Sequence, residues 1–158
     1  MCGTTAFFYN DDLLRYQFGP EHPYQPIRFQ LIRDTLREMD VFDGRLEYVE
    51  PPSATEEDLR EVHDRSLIEY VKEMSAAGTG YLDMGDTPVC QGLFEGALAA
   101  VGATLNGAES IARGDFDHVM TPGGGLHHAR RERAAGSSVF NDLANAARRL
   151  QRRYGCAR

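Results

Sequence analysis

Between residues 89 and 112 the chain carries Gly92, Gly96, Gly102 and Gly107 inside a helical repeat of Leu93, Ala97, Ala100, Val101, Thr104, Leu105 and Ala108. A glycine in a helix interior costs about 1 kcal/mol against alanine, so a helix that keeps several is held by packing rather than by propensity. Its surface of small residues lets another backbone come close. Such a helix belongs inside a layered structure, against a sheet or a second helix, and not on a solvent-exposed rod.

Short apolar runs at residues 6–9, 46–49 and 118–121 supply strands for that layer. The first is ended by Asn10-Asp11-Asp12, and the path on to Gln25 reads as irregular, punctuated by Gly19-Pro20 and His22-Pro23. Pro26 suits the start of a helix over 26–39, with Ile27, Leu31, Ile32, Leu36 and Met39 along one face. Thr55-Glu56-Glu57-Asp58 is an N-terminal helix signal with acids in the first turn. A helix from Ser66 toward Met74 carries Leu67, Tyr70 and Val71, and a loop follows from Gly78 to Pro88. Gly114 stops the long helix, residues 118–121 read as a short central strand, and Ser137 or Ser138 is placed to cap a last helix toward Tyr154. Strands alternating with helices give an α/β class. Three strands are few for so many helices, and the chain closes where a further α/β unit would set its next strand.

The 158 residues form one domain by size, with 42% hydrophobic residues to build a core. No run approaches the length of a membrane span, and the N-terminus lacks a basic segment and apolar run of a secretory signal, so the expectation is a cytoplasmic protein with no membrane association. The net charge of −7 argues against nucleic acid as a partner. Charge is uneven: residues 130–158 hold eight arginines against Glu132 and Asp142, so the last helix either faces water, pairs with the acidic body or binds an acidic partner. Cys2, Cys90 and Cys156 are far apart and odd in number, which reads as structural or incidental thiols rather than a disulfide scaffold.

The chemistry concentrates in Pro122-Gly123-Gly124-Gly125-Leu126-His127-His128-Ala129-Arg130. Neighbouring side chains diverge on a regular strand, so two adjacent histidines can serve one pocket only from an irregular backbone, which the glycines permit. One imidazole could then take a proton from water while the other donates to a leaving group, both near neutral pH. Structural hydrogen bonding or plain exposure is the alternative. No carboxylate or cysteine beside the pair completes a zinc set. The loop is neither a P-loop nor a dinucleotide fingerprint. Ser137 and Ser138 lack the context of a hydrolase nucleophile, and His22, His63 and His118 read as structural or incidental.

The order of these motifs resembles the N-terminal part of the zinc-dependent histone deacetylase superfamily, which includes acetoin-utilisation proteins and other acyl-amide hydrolases. The resemblance begins near His22-Pro23, with Pro26 and Arg28, and continues through Asp86-Thr87-Pro88 and the glycine-spaced helix. It is most specific at residues 124–130, followed by Ala135-Gly136 and Asn141-Asp142. It implies a three-layer arginase/deacetylase-like α/β fold with a mainly parallel sheet, here incomplete, and a single truncated domain over residues 1–158. The resemblance assigns catalytic positions to His127 and His128, and to Arg28 near the inner channel, where an ordinary ion pair is the other reading. It makes Gly136 a residue of close approach and gives Asn141 and Asp142 structural roles.

Two departures qualify what carries over. The family follows its glycine with an aromatic-cysteine-aromatic run where this chain has Gly136-Ser137-Ser138-Val139, which points to another acyl substrate or to lost activity. The family's D-x-H metal ligands, its later aspartate ligand and its tyrosine all fall beyond Arg158. A complete family enzyme uses zinc to hydrolyse an acyl-amine amide bond. The expectation for this chain is a deacetylase-like domain without autonomous activity and with no cofactor of its own. The alternatives are a homo-oligomeric structural or regulatory module, or one part of an enzyme whose metal ligands come from a complementing chain, with an acylated amine as substrate only then.

Overall fold

The computed structural model describes residues 3–44 and 46–157. Cys2 and the closing Arg158 lie outside the described residues. Three parallel strands, β1 (Thr5–Phe8), β2 (Leu46–Val49) and β3 (His118–Met120), form a sheet in the order β2-β1-β3. Thr5 pairs with Leu46 on one side and with His118 on the other. The central strand is therefore β1, with Ala6, Phe7 and Phe8 buried. The expectation of a central position at residues 118–121 is corrected: β3 has no strand on its outer side among the described residues, and Met120 is 48% exposed.

Helices flank both faces, giving an α/β domain around a small parallel sheet. Side chains alternate across a strand, so Phe7 and its partner Tyr48 share one face while Ala6 and Val119 share the other. α1 (Ile27–Glu38) covers the first face, with the Arg33 guanidinium over the Tyr9 ring and that of Arg37 over Tyr48. Its buried residues are Phe29 and Arg33, with Ile32 and Leu36 partly buried. Ile27, Leu31 and Met39, expected on the core face, are instead exposed, from 48% at Ile27 to 65% at Met39. The stripe at 29, 32, 33 and 36 won because Phe29 and the Arg33 stem meet aromatic rings, which an aliphatic count along the helix overlooks.

α4 (Leu93–Arg113) covers the second face. A Cβ at Gly96 would strike the Tyr16 backbone, one at Gly102 the backbone of Pro52 and Ala54, and one at Gly107 would stand 2.9 Å from Val119 Cγ1. These close approaches explain the glycines. Gly114 ends the helix at φ 80°. Before it come α2 (Glu56–Leu59), opened by a capping box between Thr55 and Asp58, and α3 (Arg65–Ala77). Tyr70 of α3 is exposed, and the buried stripe is Leu67, Ile68, Val71 and Ser75. The path read as irregular contains a 3-10 turn, Asp11–Arg15, capped by the Asn10 side chain.

The last helix, α5 (Asp142–Tyr154), is capped by Asn141, not by Ser137 or Ser138. Its basic face turns to the acidic body. The side chain of Arg149, 8% exposed, meets Asp58 and lies 3.5 Å from Glu109, while Arg152 reaches Glu61 at 3.4 Å and Arg153 reaches Glu109 at 3.0 Å. Among the described residues no helix is long and apolar enough to cross a membrane. Cys90 is half-buried and Cys156 exposed, both as free thiols.

Candidate functional site

The loop after β3 is shaped by polar side chains from beneath it. Asp142, fully buried, accepts from the amides of Gly125 at 2.9 Å and Leu126 at 2.7 Å, and from the Thr104 hydroxyl at 2.6 Å. A Cβ at Gly124 would come within 3.0 Å of that carboxylate, so the glycine lets the chain fold over it. Asn141 holds the next stretch: its Nδ2 donates to the carbonyls of His127 and Ala129 at 3.2 and 3.1 Å, and its Oδ1 caps the Ala144 amide. The structural reading of Asn141 and Asp142 matches this geometry.

With the backbone so fixed, the two imidazoles do come together. The rings of His127 and His128 lie 4.3 Å apart, tilted by 39°, and both residues are exposed. His128 packs over Gly136, where an added Cβ would stand 3.1 Å from the ring at φ 54°. Gly136 and Ser137 both take left-handed backbone, and side chains from other loops support them. Gly136 donates to Asp83 at 3.1 Å, Ser137 donates to Thr87 Oγ1 at 3.1 Å, and the buried Tyr16 hydroxyl donates to the Ser137 carbonyl at 2.7 Å. Burial opposes the charge on Asp83, but hydrogen bonds from Thr87, Gly85 and Gly136 outweigh it and hold the carboxyl below the usual aspartate range. Tyr16 is pushed the other way, its phenol raised by burial. Sequence spacing pointed to neither Asp83 nor Tyr16, because each acts on a loop far along the chain.

Arg28 stands apart from this group. It is exposed on the first turn of α1, its guanidinium 5.4 Å from the Tyr24 ring centroid and its Nε donating to the Gln25 carbonyl. No hydrogen bond, ion pair or ring contact joins it to either histidine among the described residues.

Two chemistries can be tested on these atoms. Ser137 Oγ lies 3.4 Å from His22 Nε2, a distance that invites a serine–histidine reading. Yet His22 Nδ1 accepts the Tyr24 amide at 3.0 Å, so the ring proton sits on Nε2 and faces the serine. An N–H cannot take the hydroxyl proton. Metal binding also falls short: among the described residues no three His, Cys, Asp or Glu side chains stand together as donors. Two imidazoles do not fit a catalytic zinc, which needs three protein donors and an open position. A cleft of about 410 Å³ adjoins Gly136, lined by Leu82, Asp83, Met84, Asp86 and Arg133. A larger cavity, about 570 Å³ between Arg15, Lys72, Gln91 and Glu95, includes neither histidine in its lining.

The family described as histone deacetylase domain matches residues 22–158. The acetoin utilization protein AcuC of Bacillus subtilis is 37% identical over 95% of this chain and 40% of its own length. The histone deacetylase clr6 of Schizosaccharomyces pombe is 28% identical over 92% of this chain and 38% of its own. Among solved structures, the HDA15 HD domain superposes with a TM-score of 0.82 at 26% identity, covering 94% of this chain and 43% of that one. The chain thus spans about two fifths of the length of the curated relatives it matches.

Proposed function

The chain belongs to the histone deacetylase family, and we propose that it is the histidine-bearing portion of an acyl-amide hydrolase, inactive alone and completed by a polypeptide that supplies the metal donors. One observation carries this reading. The His127 and His128 rings are held side by side on a loop fixed by buried hydrogen bonds, while no third donor accompanies them among the described residues.

The substrate class is an amide between an acyl group and an amine, and the products are a carboxylate and the free amine. This chain's contribution is acid–base chemistry. One imidazole accepts the proton of the attacking water and the other donates to the departing nitrogen, a division that two ring nitrogens side by side on one loop can serve. Gly136 keeps the wall beside His128 thin, and Ser137 stands where the family resemblance implies an aromatic residue, so the acyl group is not assigned to acetyl-lysine. The proposed compartment is the cytoplasm.

Metal content and molecular mass, measured on the same purified protein, test the reading together with turnover of several acyl-lysine substrates in added Zn²⁺. The chain alone is expected to hold no stoichiometric zinc and to release no acyl group. Mixed with the complementing polypeptide of a relative, it is expected to gain both a metal and turnover lost in His127→Ala and His128→Ala. Histidine-dependent turnover by the chain alone would overturn the proposal, as would a reconstituted enzyme indifferent to both substitutions.

A further inference from the structure

We propose that His63 is the positioning residue of the His127–His128 loop: a neutral imidazole that ties the end of the loop to the start of α5 and lets go when protonated. The tie is a property of this loop, independent of the hydrolase reading. His63 is 2% exposed and far in sequence from both partners. Its Nδ1 lies 2.9 Å from the Arg130 carbonyl, and its Nε2 accepts the Asn141 amide at 2.9 Å. A backbone amide only donates, so Nε2 presents its lone pair and the proton resides on Nδ1, directed at Arg130. One tautomer satisfies both bonds. Asn141 in turn holds the carbonyls of His127 and Ala129, so His63 acts on the pair through the residue that fixes its backbone.

An imidazolium would set N–H against N–H at Asn141 and leave a buried donor without an acceptor. The charged groups around it are turned to other partners. Asp64 turns its carboxylate to Arg131 Nε at 2.6 Å, Glu61 points Oε1 at Arg149 and Arg152 while its buried Oε2 makes no hydrogen bond to the ring, and Asp142 is occupied by Thr104, Gly125 and Leu126. From the 130–131 segment the carbonyls face inward, with Arg131 accepting the Asp64 amide, and the Phe140 ring 5.3 Å away is uncharged. Burial lowers the His63 pKa; the carbonyl bonds and Asp64 work against that shift without reversing it. With the folded value depressed, the tie is intact above the ordinary value of 6.5 and weakens as pH falls through the window beneath it.

Nuclear magnetic resonance of the whole chain tests this. At neutral pH the His63 ring is expected as the Nδ1–H tautomer. Exchange of the Asn141 amide, corrected for its intrinsic pH dependence, is expected to rise about tenfold per pH unit between 6.5 and the folded pKa. His63→Gln offers one donor and one acceptor at a similar spacing but does not titrate, so it should fold, keep the loop signals and show a flat profile. An Nε2–H tautomer, a flat wild-type profile, an acid response in His63→Gln equal to wild type, or failure of that variant to fold would each overturn the proposal.

Discussion

The buried Asp142 carboxylate shows how little of a loop's shape resides in the loop. Three donors converge on it, from Thr104, Gly125 and Leu126. Asp142→Ala would strand the buried Leu126 amide and free the partly buried donors of Gly125 and Thr104, and is expected to cost about 2–3 kcal/mol, read from urea unfolding. Asp142→Asn keeps one acceptor oxygen and should cost less, which separates hydrogen bonding from side-chain volume. At Gly136 the penalty has another origin: a methyl group would meet the His128 ring at 3.1 Å on left-handed backbone. Gly136→Ala is expected to lose about 1–2 kcal/mol and to move the His128 ring signals. The histidine pair and its glycines were legible in the sequence because they are contiguous. The supports were not, since Tyr16, His63 and Asp83 stand 121, 78 and 53 residues from the groups they hold.

At the scale of elements, α5 couples the loop to the body of the protein. Its cap, Asn141, bonds the loop carbonyls from the same side chain that holds the Ala144 amide. Further along, Arg149 enters a pocket of acids from α2 and α4. Removing one partner of a buried pair leaves the other charges unmatched, so Arg149→Ala is expected to cost about 3–5 kcal/mol in equilibrium unfolding. Burial opposes ionisation of Asp58, but the Thr55 hydrogen bonds and Arg149 prevail and hold its carboxyl low. The stabilisation is then full above its ordinary value of 3.8 and lost as pH falls through the lower folded value. An acid titration of stability should therefore be shallower in Arg149→Ala than in wild type below that point. The charge asymmetry of the last helix was visible in the sequence, with water, the acidic body and an acidic partner all open. Only the fold says that much of it turns inward, because the choice depends on Glu109 and Asp58 reaching the same place from different helices.

Across the whole molecule, the α/β class could be read from alternating runs, and the two faces of the sheet follow from residue parity once β1 is known to be central. Strand order could not be read, because short apolar runs carry no information on their neighbours. The structure leaves β3 with an outer side that no described strand covers, and Met120 of that strand is about half exposed. Unpaired backbone groups on such an edge are a template for another chain. α5 follows β3 as a crossover helix follows a strand, and parallel neighbours are joined in this way. Leu143 on α5 and Ile111 on α4 are also about half exposed. Without a complementing polypeptide, the chain is expected to self-associate through this edge, with its mass by light scattering rising with concentration. Met120→Lys places a charge on the edge, the device by which natural sheets resist such pairing. It should lower the association while leaving the unfolding midpoint of dilute protein nearly unchanged. A wild-type chain that stays monomeric at every concentration would show that the β3 edge is protected in solution, and the proposed docking of a completing polypeptide would then have to be tested at another surface.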